Sequence, residues 1–303
     1  MDIHLVDGTY ELFRHFFAVP SAQDEDGMEV GAMRGVLGSV LYLLEGGATH
    51  VGVATDHVIE SFRNDLWPGY KTGAGIDPAL WNQFWPLEAA LAALGVLVWP
   101  MVELEADDAL AAAATTADAD PKVRRVYICT PDKDLAQCVK GDRVVMLDRR
   151  ANTVRDEAGV HTRFGVGPSS IPDWLALVGD SADGYPGIPG WGEKSASALL
   201  ARYEHLEAIP RASAASWDVK VRGADRLAGA LAEHWEHALL FRDLATLRHD
   251  EQVMSGVEDL RWLGPKPEFA AICAKIDAAS LFERAERLGA ARQSATAAPR
   301  RTP

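Results

Sequence analysis

Nine carboxylates recur along this chain where an apolar run ends or a helix begins: Asp7, Asp56, Glu105, Asp107, Asp108, Asp132, Asp134, Asp180 and Asp183. Their settings are HLVDG, VGVATD, ELEADDAL, ICTPDKDL and LVGDSADGYPG. The apolar runs at 3–6, 51–55, 95–99, 125–129 and 143–147 read as strands. Between the first two, residues 31–45 read as a helix, with Met33, Val36, Leu37, Val40, Leu41 and Leu44 at helical spacing. A second, alanine-rich helix is expected from Asp107 to Asp118. Alternating strand and helix implies an α/β fold with a parallel-rich sheet flanked by helices on both faces. Ligands of such sheets gather at the carboxyl ends of the strands, and Asp7, Asp56 and Asp132 fall there.

A cluster of carboxylates repels itself unless hard divalent cations sit among the oxygens. Two such ions a few ångströms apart form the clamp used in phosphodiester hydrolysis. Glu105 and Asp108 lie three apart, so a helix starting there puts them on one face. Asp180 and Asp183 share that spacing, and Asp132 and Asp134 flank Lys133 after a strand. Each pair alone has a plainer account, since acidic residues favour helix N-termini and turns. Their joint occurrence in one alternating fold points to metal-dependent nuclease chemistry.

The formal net charge of −14 speaks against a broad basic footprint for nucleic acid. Residues 1–100 hold only Arg14, Arg34, Arg63 and Lys71 as cations, against thirteen Asp and Glu. DNA binding is therefore expected to depend on bound metals, which invert the local potential, and on a few placed cations. Arg14, Arg63 and Lys71 are the candidates, although spacing alone equally allows solvated surface residues. The cysteines, Cys129, Cys138 and Cys273, have no metal-ligand spacing, and an odd count fits reduced thiols in the cytoplasm. No secretory or membrane-spanning segment is read.

Beyond about residue 165 the pattern changes to short helices. The run Gly187-Ile188-Pro189-Gly190-Trp191-Gly192-Glu193-Lys194 precedes a helix starting near Glu193. Glycines let backbone approach a phosphate, and a helix N-terminus offers free N–H groups. Lys194 and Ser195 add a charge and a hydroxyl; a plain Gly-rich hairpin is the alternative. Further helices are expected at 224–248 and 266–288, and a disordered tail over 289–303. The segment from Arg63 to Pro86 carries Trp67, Tyr70, Trp81, Phe84 and Trp85 around GYKTGAG.

With these residues placed, the chain resembles the bacterial and phage flap endonuclease (5′-3′ exonuclease) family, which includes the N-terminal nuclease domain of DNA polymerase I. The matching stretches are LVDGTYELFR (5–14), Asp56 with SFRNDLWPGYKTG (61–73), ELEADDALA (103–111), ICTPDKDLAQ (128–137), LVGDSADGYPGIPGWGEKSA (177–196) and LFRDLATLR (240–248). The resemblance implies a PIN-like (FEN-type) nuclease core over 1–165, with a helical arch at 63–95. It also implies a helical H3TH (helix-hairpin-helix) region over 166–288.

By that resemblance Asp7, Asp56, Glu105, Asp107 and Asp108 match a first metal site, and Asp132, Asp134, Asp180 and Asp183 a second, for two Mg²⁺ or Mn²⁺. Lys71 and Arg63 match cations at the arch base, and Arg14 an arginine near the DNA. Gly187, Ile188, Gly190, Gly192, Lys194 and Ser195 match the hairpin that grips duplex phosphates, with K⁺ at its carbonyls, and Tyr70 is placed with the DNA-binding residues. The implied substrates are branched or 5′-flapped duplex and RNA-primed DNA. The expected protein is a cytoplasmic, nucleoid-associated monomer without membrane contact, with any DNA polymerase acting in trans. A non-catalytic junction-binding protein and a PIN-type ribonuclease are the rival readings.

Two departures stand out. An arginine often found after the arch lysine is absent from Tyr70-Lys71-Thr72-Gly73-Ala74, and Gly184 replaces the usual asparagine. The arch is poor in cations and rich in aromatics. Trp67, Trp81 or Trp85 could stack on unpaired bases, or Trp81, Phe84 and Trp85 could pack one arch helix.

Overall fold

A computed structural model of the protein describes residues 1–297. The sheet comprises β1 (Asp2–Asp7), β2 (His50–Asp56), β3 (Leu97–Met101), β4 (Arg125–Cys129), β5 (Val144–Asp148) and β6 (Thr153–Arg155), in the order β3-β2-β1-β4-β5-β6. All neighbours are parallel except the β5–β6 pair. Helices α1 (Gly8–Ala18) and α2 (Gly31–Glu45) join β1 to β2. Helices α3 (Phe62–Leu66), α4 (Pro78–Trp81) and α5 (Phe84–Leu94) lie between β2 and β3, and α6 (Ala106–Ala119) leads to β4. After the sheet come α7 (Glu157–Phe164), α8 (Ile171–Val178), α9 (Glu193–Tyr203), α10 (Ala224–Glu233), α11 (Trp235–Ala245), α12 (Glu268–Lys275) and α13 (Ala279–Ala297).

Side chains alternate across a strand, so the sheet feeds two cores. Ile3, Leu5, Ile128 and Met146 enter one, shared with α6, α8, α9 and α11. Val6, Val51 and Val53 enter the other, shared with α2, α5, α12 and α13. Burial on both faces explains why the strands read as continuous apolar runs. It also divides the helices after residue 165. Those up to α11 pack with the first core, whereas α12 and α13 cover the opposite face of the sheet beside α2 and α5.

Several expectations need correction. β3 starts at Leu97, two residues later than read, because α5 continues to Leu94. β6 is a three-residue, largely exposed edge strand that periodicity could not reveal. No single helix spans the arch: Pro68, Gly69, Gly73, Gly75 and Pro78 break it into α3, a loop and α4, and the chain turns again before α5. The tail expected to be disordered is helical to Ala297. Arg292 anchors it, with its guanidinium 4.9 Å from the Trp262 ring centre and donating to the carbonyls of Leu44 and Ala48. Residues 298–303 of that expectation lie outside the described residues.

Candidate active site

The carboxyl ends of the strands gather most of the predicted carboxylates. Asp7 ends β1 and caps α1, accepting from the Tyr10 amide (2.8 Å) and the Thr130 hydroxyl (2.9 Å). Asp56 ends β2; its amide donates to Thr9 (2.8 Å) and its carboxylate accepts from the Ala106 amide (2.8 Å). Glu105 precedes α6 and is held by Ser61 (2.6 Å) and by Lys71 Nζ at 2.8 Å. Lys71 also lies 3.3 Å from Asp183, linking the two halves of the cluster. One oxygen from each of Asp134, Asp180 and Asp183 lies within 4.8 Å of the others. Asp132 orients this turn by accepting from the Asp134 amide at 3.0 Å.

Burial pushes Asp7 up to about 7, and the charges of Asp56 and Asp132 add to the shift. Burial raises Asp56. Asp107 is pushed well above the usual carboxylate range, first by burial and then by Asp132, Asp7 and Asp56. Asp134 is raised in the same way by burial, Asp132 and Asp183, and Asp183 by burial and Asp180 against the pull of Lys71. Burial also opposes ionisation of Glu105, but Lys71 and Arg63 outweigh it and hold that carboxyl low. Among the described residues buried Asp134 Oδ1 has no hydrogen-bond partner, with Lys133 Nζ standing 3.9 Å away. An all-oxygen donor set, mutual repulsion and an orphaned carboxylate oxygen together fit hard divalent cations.

Three expected site residues are turned elsewhere. Asp108 is fully buried, and both its oxygens are taken by a bidentate pair with Arg63 (2.7 and 2.8 Å). It also accepts from the amides of Glu105 (3.0 Å) and Arg248 (2.9 Å). Arg63, only 1% exposed, spends its remaining donors on the carbonyls of Leu244 (2.8 Å) and Thr246 (3.3 Å). Neither can reach a substrate; together they stitch the end of α11 to the start of α6. Arg14 pairs with buried Glu11 at 2.6 Å and lines a cavity with Met1, Asp2, Arg124 and Arg149, whose lining includes none of the nine carboxylates.

Tyr70 is likewise buried, its hydroxyl 3.3 Å from Glu105. In the hairpin, Ile188 is a core residue whose amide donates to Leu177 (2.9 Å). The Ser195 hydroxyl is occupied in capping, bonded to both the amide (3.1 Å) and the carbonyl (2.9 Å) of Gly192. Gly187 is required for a different reason. With φ +70°, a Cβ there would lie 2.4–2.7 Å from backbone of Leu177, Val178 and Gly179. Gly190, Gly192 and Lys194 remain accessible at the hairpin.

Four further contributors leave little or no trace in the sequence. Thr9 and Thr130 position Asp56 and Asp7, and carry no signal beyond lying just past a strand end. Lys133 binds Asp180 directly; its place between two aspartates was the available hint. Arg226 on α10 holds its guanidinium 3.2 Å from where a side chain at Gly190 would begin, a proximity made by folding alone.

The Gly184 departure has a steric cause. At φ +84° a Cβ would stand 2.1 Å from the Gly69 carbonyl oxygen. There Trp67 Nε1 donates to the Gly184 carbonyl (3.0 Å), and the Lys71 amide donates to the Asp183 carbonyl (2.9 Å). Gly184→Ala is expected to push the arch base away and displace Lys71. Single-turnover cleavage should fall by at least tenfold, roughly the effect of misplacing a positioning group; an unchanged rate would show that the apposition is dispensable.

Residues 2–165 match the family model described as 5′-3′ exonuclease, N-terminal resolvase-like domain, and residues 166–268 match 5′-3′ exonuclease, C-terminal SAM fold. The chain belongs to the 5′-3′ exonuclease family. A 5′-3′ exonuclease of Buchnera aphidicola subsp. Baizongia pistaciae is 30% identical over 263 residues, covering 86% of each chain. DNA polymerase I of Pseudomonas aeruginosa is 36% identical over 267 residues, which is 84% of this chain but 28% of that protein. The chain thus spans under a third of the length of that polymerase. A solved structure of T5 5′-exonuclease with zinc bound superposes with a TM-score of 0.65 at 16% identity, covering 94% of this chain and all of that one. The PIN-like α/β fold is that of this 5′-3′ exonuclease family, whose members are nucleases.

Proposed function

We propose that the protein is a structure-specific 5′ nuclease, acting as flap endonuclease and 5′-3′ exonuclease on branched duplex DNA, including RNA-primed ends. The observation that carries this reading is the convergence of Asp7, Asp56, Glu105, Asp107, Asp132, Asp134, Asp180 and Asp183 at one edge of the sheet, with Lys71 between the two groups. Asp7, Asp56, Glu105 and Asp107 would hold one divalent ion, and Asp132, Asp134, Asp180 and Asp183 the other, as Mg²⁺ or Mn²⁺. Such ions supply an activated water and neutralise charge on the scissile phosphate.

The protein's own part is positioning. Lys71 is partly exposed and tethered on its inner side to Glu105 and Asp183, so its ammonium can meet an incoming phosphate as a fixed charge. The hairpin offers exposed backbone at Gly190, with Lys194 and Arg226 beside it, for duplex phosphates, while half-buried Gly192 has its amide and carbonyl bonded to Ser195. Carbonyls of that turn are where K⁺ would bind.

The direct test is cleavage of a 5′-labelled double flap in Mg²⁺, with and without EDTA. A metal-dependent cut near the junction is expected. Binding without cleavage would instead favour a junction-binding protein.

Metal binding should also register as stability. Asp7 has its folded-state pKa raised to about 7. Stability linked to it is full below the ordinary carboxylate pKa and is lost as pH rises through about 7. Bound cations reverse that loss, whereas at low pH they must displace protons. The rise in melting temperature on adding Mn²⁺ is therefore expected to be larger at pH 8 than at pH 5.5. Equal shifts in melting scans at the two pH values would contradict the assignment.

A further inference from the structure

We infer that the open face of Trp85 is a stacking platform for an unpaired base of the strand entering the metal site, an inference that rests on the nuclease reading above. Trp85 stands in the first turn of α5. One face of its indole stacks on the His57 imidazole, with centroids 5.3 Å apart and planes at 16°. Its Nε1 donates to the His57 carbonyl at 3.2 Å. His57 is fixed in turn by Glu88 (2.7 Å), which also accepts from Thr55 at 2.8 Å. The indole is thereby braced against Thr55-Asp56-His57, the end of β2 that delivers a metal-site carboxylate. It nevertheless remains 58% exposed. A braced, exposed aromatic held against His57, the residue that follows Asp56, is placed for ligand contact.

The surroundings select a base over a phosphate. Trp85 opens onto a cleft of about 300 Å³ shared with Met28, Trp81, Asn82 and Pro86. Among the described residues no ionisable side chain lines it, so a phosphate would find no cation there. A base would find the Trp85 face, the Met28 thioether and the Asn82 amide. The nearby acidic loop is neutralised in part by Lys275, which pairs with Asp26 at 2.8 Å. Stacking is indifferent to base identity because every base presents a π-face, which suits an enzyme that reads structure. Of the other aromatics considered, Trp67 is excluded: its ring packs edge-on to Phe241, with centroids 5.1 Å apart. Trp81 leans on Phe84 and serves as a cleft wall.

The test is a cycle between protein and substrate. Flaps carrying one abasic residue at successive unpaired positions next to the junction are cleaved by the wild-type protein and by Trp85→Ala, at substrate below saturation. One abasic position should lower wild-type kcat/KM by about 5- to 160-fold, the range expected for losing one base–aromatic stack. Trp85→Ala should lose the same factor on the intact flap and nothing more on the abasic one, with Trp85→Phe recovering most of it. Independent, multiplying losses would mark Trp85 as merely structural and overturn the proposal. Wild-type cleavage by Trp85→Ala would also overturn it and leave the cleft to a protein partner. A 2-aminopurine at the sensitive position, bound in Ca²⁺, reads the contact without cleavage. Quenching by the wild type but not by Trp85→Ala is expected, so failure of the platform and failure of the nuclease reading give different results.

Discussion

Asp134→Asn is expected to lower single-turnover cleavage in saturating Mg²⁺ by at least about a thousandfold, while duplex binding in Ca²⁺ stays level or tightens. Asp134 is buried, its Oδ1 has no hydrogen-bond partner among the described residues, and it shares a tight oxygen cluster with Asp180 and Asp183. The amide keeps the shape, removes a ligand charge and brings no new bulk. One further consequence separates this role from a structural one. Burial and neighbouring carboxylates hold Asp134 well above its ordinary pKa, so its ionised form opposes folding when no cation is present. The metal-free variant should therefore melt higher than the metal-free wild type at pH 8. A variant cutting within tenfold of wild type would remove Asp134 from the metal site.

Removing Arg63 should act on the fold first. Arg63→Ala leaves Asp108 charged and buried without its partner and strips a donor from the Leu244 and Thr246 carbonyls. Breaking one side of such a pair costs about 3–5 kcal/mol. Replacing both partners, as Arg63→Met with Asp108→Leu, is expected to recover much of that in denaturant titrations, because no lone buried charge remains. Recovery should be incomplete, since the carbonyls of Leu244 and Thr246 still lack donors. If Arg63→Ala proved as stable as wild type while losing cleavage, Arg63 would be a substrate contact after all. Below its melting point Arg63→Ala should retain more activity than Asp134→Asn, because its link to the cluster runs only through Glu105, at 3.3 Å.

These two residues also show what was legible in the chain. Asp7 and Asp56 could be placed because a strand of alternating contacts ends at a definite residue, and the carboxyl edge of a parallel sheet is where such ends collect. Asp134, Asp180 and Asp183 converge because Asp134 lies in a 3-10 turn capped by Asp132, while Asp180 opens the tight turn that holds Asp183. Glu105, Asp107 and Asp108 are different. Spacing on a helix puts residues on a shared face but does not say which of two adjacent acids turns inward, and Asp108 met Arg63 there. The arch lysine and the arch arginine looked equivalent in sequence, yet only Lys71 keeps solvent access. Arg14 keeps nearly as much access as Lys71, 22% against 27%, but it is paired with buried Glu11 rather than with the cluster. Tyr70, Ile188 and Ser195 were read from the motif around them, whereas their side chains are used for packing and capping. Partners supplied from far along the chain, such as Leu244 for Arg63 or Arg226 for Gly190, leave no local trace.

The path of α13 has a consequence for how this nuclease can be coupled to other proteins. Arg292 fastens that helix to the carbonyls of Leu44 and Ala48, just before β2 begins. The carboxylate cluster lies where the strands finish, at the other margin of the sheet. A module fused after α13 would thus be tethered behind the blade, leaving the cutting edge unobstructed. A linker meant to deliver substrate from such a module would have to wrap the depth of the sheet, so direct hand-over over a short tether is geometrically disfavoured.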